Sequence, residues 1–190
     1  MNYFLYLIIF ISISISIFFI HCKKIDFFKH TDDLVYLNFK YNNDFIKKYK
    51  HILDYYLLTE CFAGDYEDFT SIDPDISSLY IIGKLSKERG DKTFEFENKY
   101  YELKCIFTIK NTKLFTYELW NACSPILSRK QGYFLKLFKY FLTTIDLPKS
   151  EVVLYVESSE PDKMKTYEKI GFKYYSKTDE GHYMMKYIHI

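Results

Sequence analysis

A short basic loop near the middle of the chain, Ser128–Gly132, has the residue types needed to bind an anion. It follows an apolar and aromatic run, Leu114–Ala122, which predicts a buried strand, and Pro125 ends that strand because proline cannot donate a ladder hydrogen bond. Apolar residues then recur at the three-to-four spacing of an amphipathic helix: Phe134, Leu135, Phe138, Leu142 and Ile145. Because free backbone N–H groups and the positive end of the helix dipole meet at such a loop, the stretch predicts an anion site.

The flanking sequence predicts the elements that position this loop. Before it we expect a strand over 34–39, a helix from Asn43–Asp44 to about Ala63–Gly64, a strand over 78–85, a loop or hairpin tip over 86–99, and a strand over 100–109 that turns at Asn111–Thr112. After it we expect a buried strand over 151–156, a helix from Pro161 to Ile170 that ends at Gly171, and a hairpin of strands 172–176 and 182–190. The order is strand, helix, three antiparallel strands, helix, strand, helix, two strands.

The N-terminus predicts a membrane segment. Residues 3–21 carry no charged side chain apart from the histidine at the end, and about twenty such residues span a bilayer as a helix. Lys23, Lys24 and Lys29 follow the run, which by the positive-inside rule places the soluble part in the cytoplasm. A cleaved signal peptide, and with it secretion, is the alternative, although the chain has no basic start and a poor cleavage site. We therefore divide the chain into an anchor or signal over 1–22, a linker over 23–33 and a domain over 34–190.

Composition excludes some classes of function. The 190 residues contain 26 basic and 25 acidic side chains, so a nucleic-acid surface is not expected. The four cysteines, Cys22, Cys61, Cys105 and Cys123, form no close pair, which argues against a zinc site, and we expect no metal. Their even number permits disulfides, but we interpret them as buried free thiols. The acidic stretch over 65–75 either is a solvated loop or attracts an amine substrate through its negative charges.

Arg129–Gly132 resembles the pyrophosphate-binding loop of the GNAT superfamily, the acyl-CoA-dependent N-acyltransferases. That loop reads Gln or Arg, two variable residues, Gly, one variable residue, then Gly or Ala, and its last position here is Phe134. Tyr167–Phe172 is similar to the family's Tyr-x-Lys-x-Gly-Phe signature at the end of the last helix, and Met184–Lys186 resembles its usual ending. The predicted element order over 34–190 is also that of the GNAT fold.

The resemblance implies an α/β (α+β) fold with a mixed, mostly antiparallel twisted sheet flanked by helices, and an N-acetyltransferase that uses acetyl-CoA as co-substrate. The backbone of Asn121, Ala122 and Cys123 would face the thioester and the pantetheine arm. The pyrophosphate would be held by the backbone from Gln131 and Gly132 through Tyr133 and Phe134, with charge from Arg129 or Lys130.

The resemblance also implies two catalytic side chains. Tyr167 would protonate the leaving thiolate, and Glu118 would take a proton from the attacking amine, because some members carry a glutamate base at this position. Two departures from the family pattern stand against activity. Phe134 replaces a small residue, and Glu160 replaces an asparagine close to the anionic cofactor. The sequence therefore leaves open an alternative, a catalytically degenerate GNAT-fold binding or scaffold protein tethered to a membrane.

Overall fold

A computed structural model describes residues 33–40, 44–61 and 76–188. The eight strands of this part are β1 (Leu34–Lys40), β2 (Ile76–Ser86), β3 (Thr93–Phe96), β4 (Lys99–Lys113), β5 (Thr116–Cys123), β6 (Glu151–Val156), β7 (Phe172–Lys177) and β8 (Tyr183–Tyr187). Its helices are α1 (Asp44–Tyr55), which continues as a π-helical turn (Tyr56–Cys61), α2 (Tyr133–Thr143) and α3 (Pro161–Glu168), with 3-10 turns at Ile126–Ser128 and Leu147–Lys149. The predicted anchor, most of the linker and the acidic stretch over 65–75 lie outside the described residues.

One twisted sheet organises these elements, in the order β1-β2-β4-β5-β6-β8-β7, with the short β3 paired to β4. Every pair is antiparallel except β5 with β6, which are parallel and are connected through α2. The predicted meander of β2, β4 and β5 is confirmed, as is the predicted alternation of helices and strands after it. The fold class predicted for this part of the chain, a mostly antiparallel mixed sheet flanked by helices, is correct.

The two faces of the sheet carry separate hydrophobic cores because side chains alternate along each strand. On one face, α2 buries Leu137, Phe138 and Phe141 against β4 and β6. On the other face, α1 and its π-helical turn bury Ile52, Leu53 and Leu57 against β1, β2 and β4. The helices that the sequence patterns predict therefore cover opposite faces, and the loop before α2 lies at the end of β5.

The structure differs from the sequence prediction in the hairpins around β4. The predicted loop over 86–99 contains β3, whose Glu95 N–H donates to the Tyr49 hydroxyl of α1 at 2.9 Å. Gly83 of β2 permits this packing, because a Cβ there would lie 2.5 Å from the ring of Phe94. The turn into β5 falls at 114–115 rather than at 111–112, and Leu114 is largely exposed instead of belonging to a buried strand.

Within residues 33–40, 44–61 and 76–188, no helix has the length and apolar character needed to cross a membrane.

Candidate active site

A cleft opens where the parallel strands β5 and β6 separate. They pair over only three positions, from Thr116 with Glu151 to Glu118 with Val153. Beyond this point a cavity of about 610 Å³ lies between them, and it is lined by β5, β6, the segment that leads into α3, α3 itself and the β7–β8 turn. A cleft at the ends of diverging parallel strands is a common position for ligand sites in α/β proteins.

A β-bulge shapes the β5 wall of this cleft. Asn121 and Ala122 together face the single residue Phe107 of β4, so the ladder skips one step. Asn121 adopts φ +53°, and its side-chain amide donates to the Thr108 hydroxyl at 3.2 Å, which in turn donates to the Trp120 carbonyl at 3.3 Å. The bulge therefore takes the Asn121–Ala122 backbone out of the regular β4 ladder, and both residues line the cleft.

Cys123, the third residue whose backbone is predicted to face the pantetheine arm, is not among the residues that line the cleft. Since the bulge shifts the alternation of β5, the Cys123 side chain points into the core beneath α1 and is buried. Its sulfur is bonded to Cys61 at the end of the π-helical turn, with the two Cα atoms 5.7 Å apart. The prediction of free thiols is thus wrong for Cys61 and Cys123, whereas Cys105 is a buried free thiol and Cys22 lies outside the described residues. Sequence spacing did not show the pair because 62 positions separate its members.

The predicted anion loop leads directly into α2. Gly132 caps the helix with φ +75° and no side-chain hydrogen bond, and a Cβ at this position would meet no atom within 4 Å. The first-turn N–H groups of a helix lack intrahelical partners and favour an anion. The helix start is therefore open where the sequence predicts the pyrophosphate.

The side chains of the loop serve mostly to fix its shape. The Arg129 guanidinium donates to the Glu60 carbonyl, and its Nε donates to the Ser124 carbonyl at 3.2 Å. The Gln131 amide donates to the Leu127 carbonyl at 2.7 Å. Lys130 is exposed and adopts φ +61°. Both basic residues proposed for phosphate charge are thus exposed, but the Arg129 guanidinium already donates to two carbonyl groups.

Tyr167 lies across the cleft from the bulge, on the last turn of α3. The pKa of Tyr167 is raised to about 12, mainly by burial and to a smaller extent by the nearby Cys105 sulfur and Glu160 carboxylate. The phenol therefore keeps its proton throughout the neutral range. Its ring meets the ring of Phe134 with centroids 5.7 Å apart, so the two sequence motifs, distant along the chain, are in contact.

Glu118 occupies the point of the cleft at which β5 and β6 separate. It is only 8 % exposed, and it shares the face of the sheet that carries Trp120 and Tyr155. Burial raises the pKa of Tyr155 and the Glu118 carboxylate raises it further, whereas Lys186 lowers it. Glu118 therefore places a negative charge close to a phenol on the opposite wall.

Glu160, which departs from the family pattern, forms an ion pair with Lys163 one turn later in α3. Lys165 pairs instead with Asp162, with Nζ and Oδ1 3.0 Å apart. Both Glu160 and Lys163 line the cleft, so the lysine offsets part of the negative charge there. In the part of the chain that the structure describes, no group of His, Cys, Asp and Glu is placed to hold a metal ion.

The cleft also contains residues that sequence reasoning missed: Trp120, Tyr155, Glu157, Glu180 and His182. The alternation of β5 would have placed Trp120 beside Glu118, and the alternation of β6 would have exposed Tyr155 on the same face. Glu157, Glu180 and His182 follow strand ends or occupy a turn, and no local pattern marks them.

No family model matches the sequence, and no curated protein matches it either. Solved structures do match. An acyl-CoA N-acyltransferase from Pseudomonas aeruginosa is 11% identical with a TM-score of 0.53, covering 82% of this chain and 99% of that chain. The chain has the GNAT fold. An acetyltransferase from Bacillus subtilis in complex with CoA is 14% identical with a TM-score of 0.53, covering 83% of this chain and 99% of that one.

A third GNAT-fold structure is a chimera of the spermidine N-acetyltransferase SpeG from Vibrio cholerae and hSSAT. It is 12% identical to this chain with a TM-score of 0.55, covering 82% of this chain and 95% of that chain. At such identities the likeness shows the fold alone, and the activity has to be argued from the residues of the cleft.

Proposed function

We propose that the chain is an N-acetyltransferase that moves an acetyl group from acetyl-CoA to an amine by direct attack. One observation carries the proposal. The cleft between β5 and β6 has the bulged backbone of Asn121 and Ala122 on one side and a protonated Tyr167 on the other. Transfer from a thioester to an amine needs a hydrogen-bond donor at the carbonyl oxygen and a proton for the departing sulfur, and these two walls offer both.

In this proposal the pyrophosphate of CoA binds at the start of α2. The N–H groups from Gly132 through Phe134, together with the helix dipole, favour the pyrophosphate of CoA, and exposed Lys130 adds positive charge. Phe134 links the start of α2 to the reaction centre because its ring contacts Tyr167. That a similar fold has been solved with CoA bound supports the same use of the cleft here.

The proposed reaction uses Glu118 and Tyr167 in turn. The acceptor ammonium first loses one proton to solvent through Glu118. The amine nitrogen then bonds to the acetyl carbon, Glu118 accepts the second nitrogen proton, and the carbon–sulfur bond breaks. An N–H of the Asn121–Ala122 bulge donates to the carbonyl oxygen during the attack, and Tyr167 gives its proton to the sulfur as it leaves. Exchange with solvent afterwards returns a proton to Tyr167 and removes the one on Glu118. The products are an amide and CoA thiol, with no oxidation or reduction.

The lining of the cleft favours a cationic acceptor. Glu118, Glu157 and Glu180 line the cleft together with two half-exposed aromatic rings, Trp120 and Tyr155. Carboxylates attract an ammonium group, and the faces of aromatic rings bind it further. We therefore propose that the acceptor is an amine that is protonated in solution and loses its proton at Glu118.

The test is a screen of amines for acetyl-CoA-dependent release of free thiol by the full chain. Polyamines, lysine-containing peptides, peptide N-termini and amino sugars cover the main acceptor types. At least one should give thiol release that is saturable in both substrates, with the acetylated amine confirmed by mass spectrometry. Trp120→Ala should raise the acceptor KM with little change in acetyl-CoA binding, while Leu127→Ala, at a side chain that is 90% exposed and not part of the cleft lining, is the matched control.

A second candidate is a GNAT-fold binding or scaffold protein without turnover. Phe134 supports it, since a large ring stands where the family carries a small residue, and so does the Glu160 carboxylate in the cleft. Binding of acetyl-CoA without thiol release for any amine would favour this candidate over the enzyme.

The location of the domain is also a proposal. An uncleaved anchor over residues 3–21 with the domain in the cytoplasm rests on the sequence pattern alone. The Cys61–Cys123 disulfide supports the alternative, a lumenal or secreted domain, because such bonds persist in oxidising compartments and are rare in the cytosol. N-terminal sequencing of the mature protein separates an anchor from a cleaved signal.

A further inference from the structure

The Cys61–Cys123 disulfide joins the two parts of the fold that border the proposed CoA site. Cys61 ends the π-helical turn after α1, and Cys123 ends β5 immediately after the bulged pair Asn121–Ala122. Cys123 is buried, with 2% of its surface exposed, whereas Cys61 is half-buried. The bond therefore ties a helix on one face of the sheet to the strand end that forms one wall of the cleft.

Polar contacts reinforce the same junction. The carboxylate of Glu60, next to Cys61, accepts a hydrogen bond from the Ile126 N–H at 2.8 Å. The Glu60 carbonyl accepts from the Arg129 guanidinium, whose Nε also donates to the Ser124 carbonyl at 3.2 Å. These contacts connect the end of the first helix to Ile126 and Arg129, in the segment between β5 and α2. That segment continues directly into Gly132 and the first turn of α2.

The polar contacts are exposed, so water competes for each of them and none holds the junction by itself. The disulfide is the one covalent tie among them, and it closes a loop of 62 positions. Removing it would leave hydrogen bonds that water can replace as the described polar ties between the first helix and the segment 124–132.

We propose that the Cys61–Cys123 disulfide is a redox-sensitive latch that holds the CoA-binding end of the cleft in shape. This inference rests on the proposed function. In the oxidised chain the latch fixes the bulge and the start of α2 for acetyl-CoA. In the reduced chain the segment 124–132 moves more freely and acetyl-CoA binds more weakly.

The reductant for this latch is a dithiol. One thiolate attacks the sulfur of Cys61, the more accessible of the two, and the sulfur–sulfur bond breaks with Cys123 leaving as a thiolate that takes up a proton. The second thiol of the reductant, as its thiolate, then attacks the mixed disulfide and releases Cys61 as a thiol. Two electrons pass from the dithiol to the cysteine pair, and the reductant leaves as its own disulfide.

The experiment compares the oxidised full chain with the same chain treated with dithiothreitol. Alkylation and peptide mapping count the free thiols, and calorimetry measures the Kd of acetyl-CoA. We expect binding to weaken at least fivefold on reduction and to recover on reoxidation. Cys61→Ser should bind as the reduced wild type does and should not respond to dithiothreitol, while Cys22→Ser, the control, should respond as the wild type does.

Hydrogen exchange gives a readout that does not depend on binding. Amides of residues 126–132 should exchange faster after reduction, whereas those of the β7–β8 hairpin should not change. Equal exchange over 126–132 in both forms, or equal Kd values, would overturn the latch, as would peptide mapping that finds no bond between Cys61 and Cys123. If neither form binds acetyl-CoA, the proposed function fails, and the exchange comparison still decides whether the latch exists.

Discussion

The ring of Phe134 meets the ring of Tyr167 edge to face, with their centroids 5.7 Å apart. Phe134 also contacts Phe107 of β4 and Phe138 of α2, at 6.0 and 6.1 Å between centroids. The large residue that departs from the GNAT loop pattern is therefore part of the core that supports Tyr167. Such aromatic pairs favour a defined ring orientation, so Phe134 is positioned to steady the proposed acid rather than only to obstruct the cofactor.

Phe134→Ala tests that interpretation. The substitution removes the ring beside Tyr167 and should lower the free energy of unfolding by about 2 kcal/mol, below the range for a fully buried phenylalanine because Phe134 is only partly buried. The transfer rate should fall as well, since Tyr167 loses its neighbour. Urea denaturation and steady-state kinetics measure the two effects, and Phe134→Leu should be milder in both. An alanine variant that turns over faster than the wild type would show that the ring is an obstruction.

Tyr167→Phe separates proton donation from packing, because it keeps the ring that contacts Phe134 and removes only the hydroxyl. If the proton for the departing sulfur comes from Tyr167, we expect kcat to fall about 10- to 100-fold. A loss of this size is at or below the lower bound of the rate gain from general acid catalysis. The Kd of acetyl-CoA should change less than twofold. Tyr174→Phe, at an exposed position of β7, is the control. Unchanged kcat in Tyr167→Phe would remove this side chain from the mechanism.

Glu118→Gln keeps the shape of the proposed base and removes its charge. At neutral pH kcat/KM should fall by about 10²-fold or more, and the acid limb of the pH profile should flatten. Glu102→Gln, at an exposed carboxylate paired with Lys104, is the matched control. An independent readout is the pKa of Tyr155, which should fall in the variant because the Glu118 charge raises it. NMR of chains labelled at the tyrosine ring carbon measures that pKa. Full turnover by Glu118→Gln would contradict the assignment.

Three tyrosines with a raised pKa predict loss of stability at high pH. Burial raises the pKa of Tyr56, Tyr80 and Tyr167 from 10 to about 12. Below pH 10 both the folded and the unfolded chain keep these protons. Between pH 10 and 12 the unfolded chain gives them up first, so the free energy of unfolding should fall by about 1.4 kcal/mol per pH unit for each tyrosine.

Urea denaturation from pH 9 to 12 measures that slope. Tyr80→Phe should reduce the slope by the contribution of one tyrosine, about 1.4 kcal/mol per pH unit. It should also lower stability at pH 7, because the hydrogen bonds of Tyr80 with Asn38 and Thr144 are lost. Tyr174→Phe should leave the slope unchanged, since this ring is exposed. A slope that is the same in Tyr80→Phe and the wild type would show that Tyr80 is not held protonated by burial.

Much of the fold could be predicted from the sequence because its elements carry local patterns. The apolar spacing over Phe134–Ile145 predicts α2, and the glycine at 171 predicts the end of α3. The prediction failed where tertiary contacts override local pattern. β3 forms inside a polar stretch because the Tyr49 hydroxyl of α1 accepts a hydrogen bond from its backbone, and because Gly83 of β2 leaves room for the ring of Phe94. The apolar Leu114 looks like strand in sequence and is a turn residue instead.

The candidate site was less predictable than the fold. The loop motif and the order of the elements predict that the backbone of Asn121, Ala122 and Gly132 lies at the site. The structure places the first two in the cleft. The side-chain environment depends on the bulge in β5, which no local pattern specifies. That bulge turns Cys123 away from the cleft and toward Cys61. Arg129 likewise has the residue type of a phosphate ligand, but its hydrogen bonds to Glu60 and Ser124 depend on a distant helix end.

The proposed function requires the cleft between β5 and β6 to bind acetyl-CoA with its pyrophosphate at the start of α2. Calorimetric titration of the oxidised full chain with acetyl-CoA, and with desulfo-CoA, tests this most directly. We predict one site per chain, a Kd in the micromolar range for both ligands, and weaker binding when Gly132→Asp places a negative charge at the helix start. No heat of binding at millimolar ligand would contradict the claim, and so would a Kd that Gly132→Asp leaves unchanged.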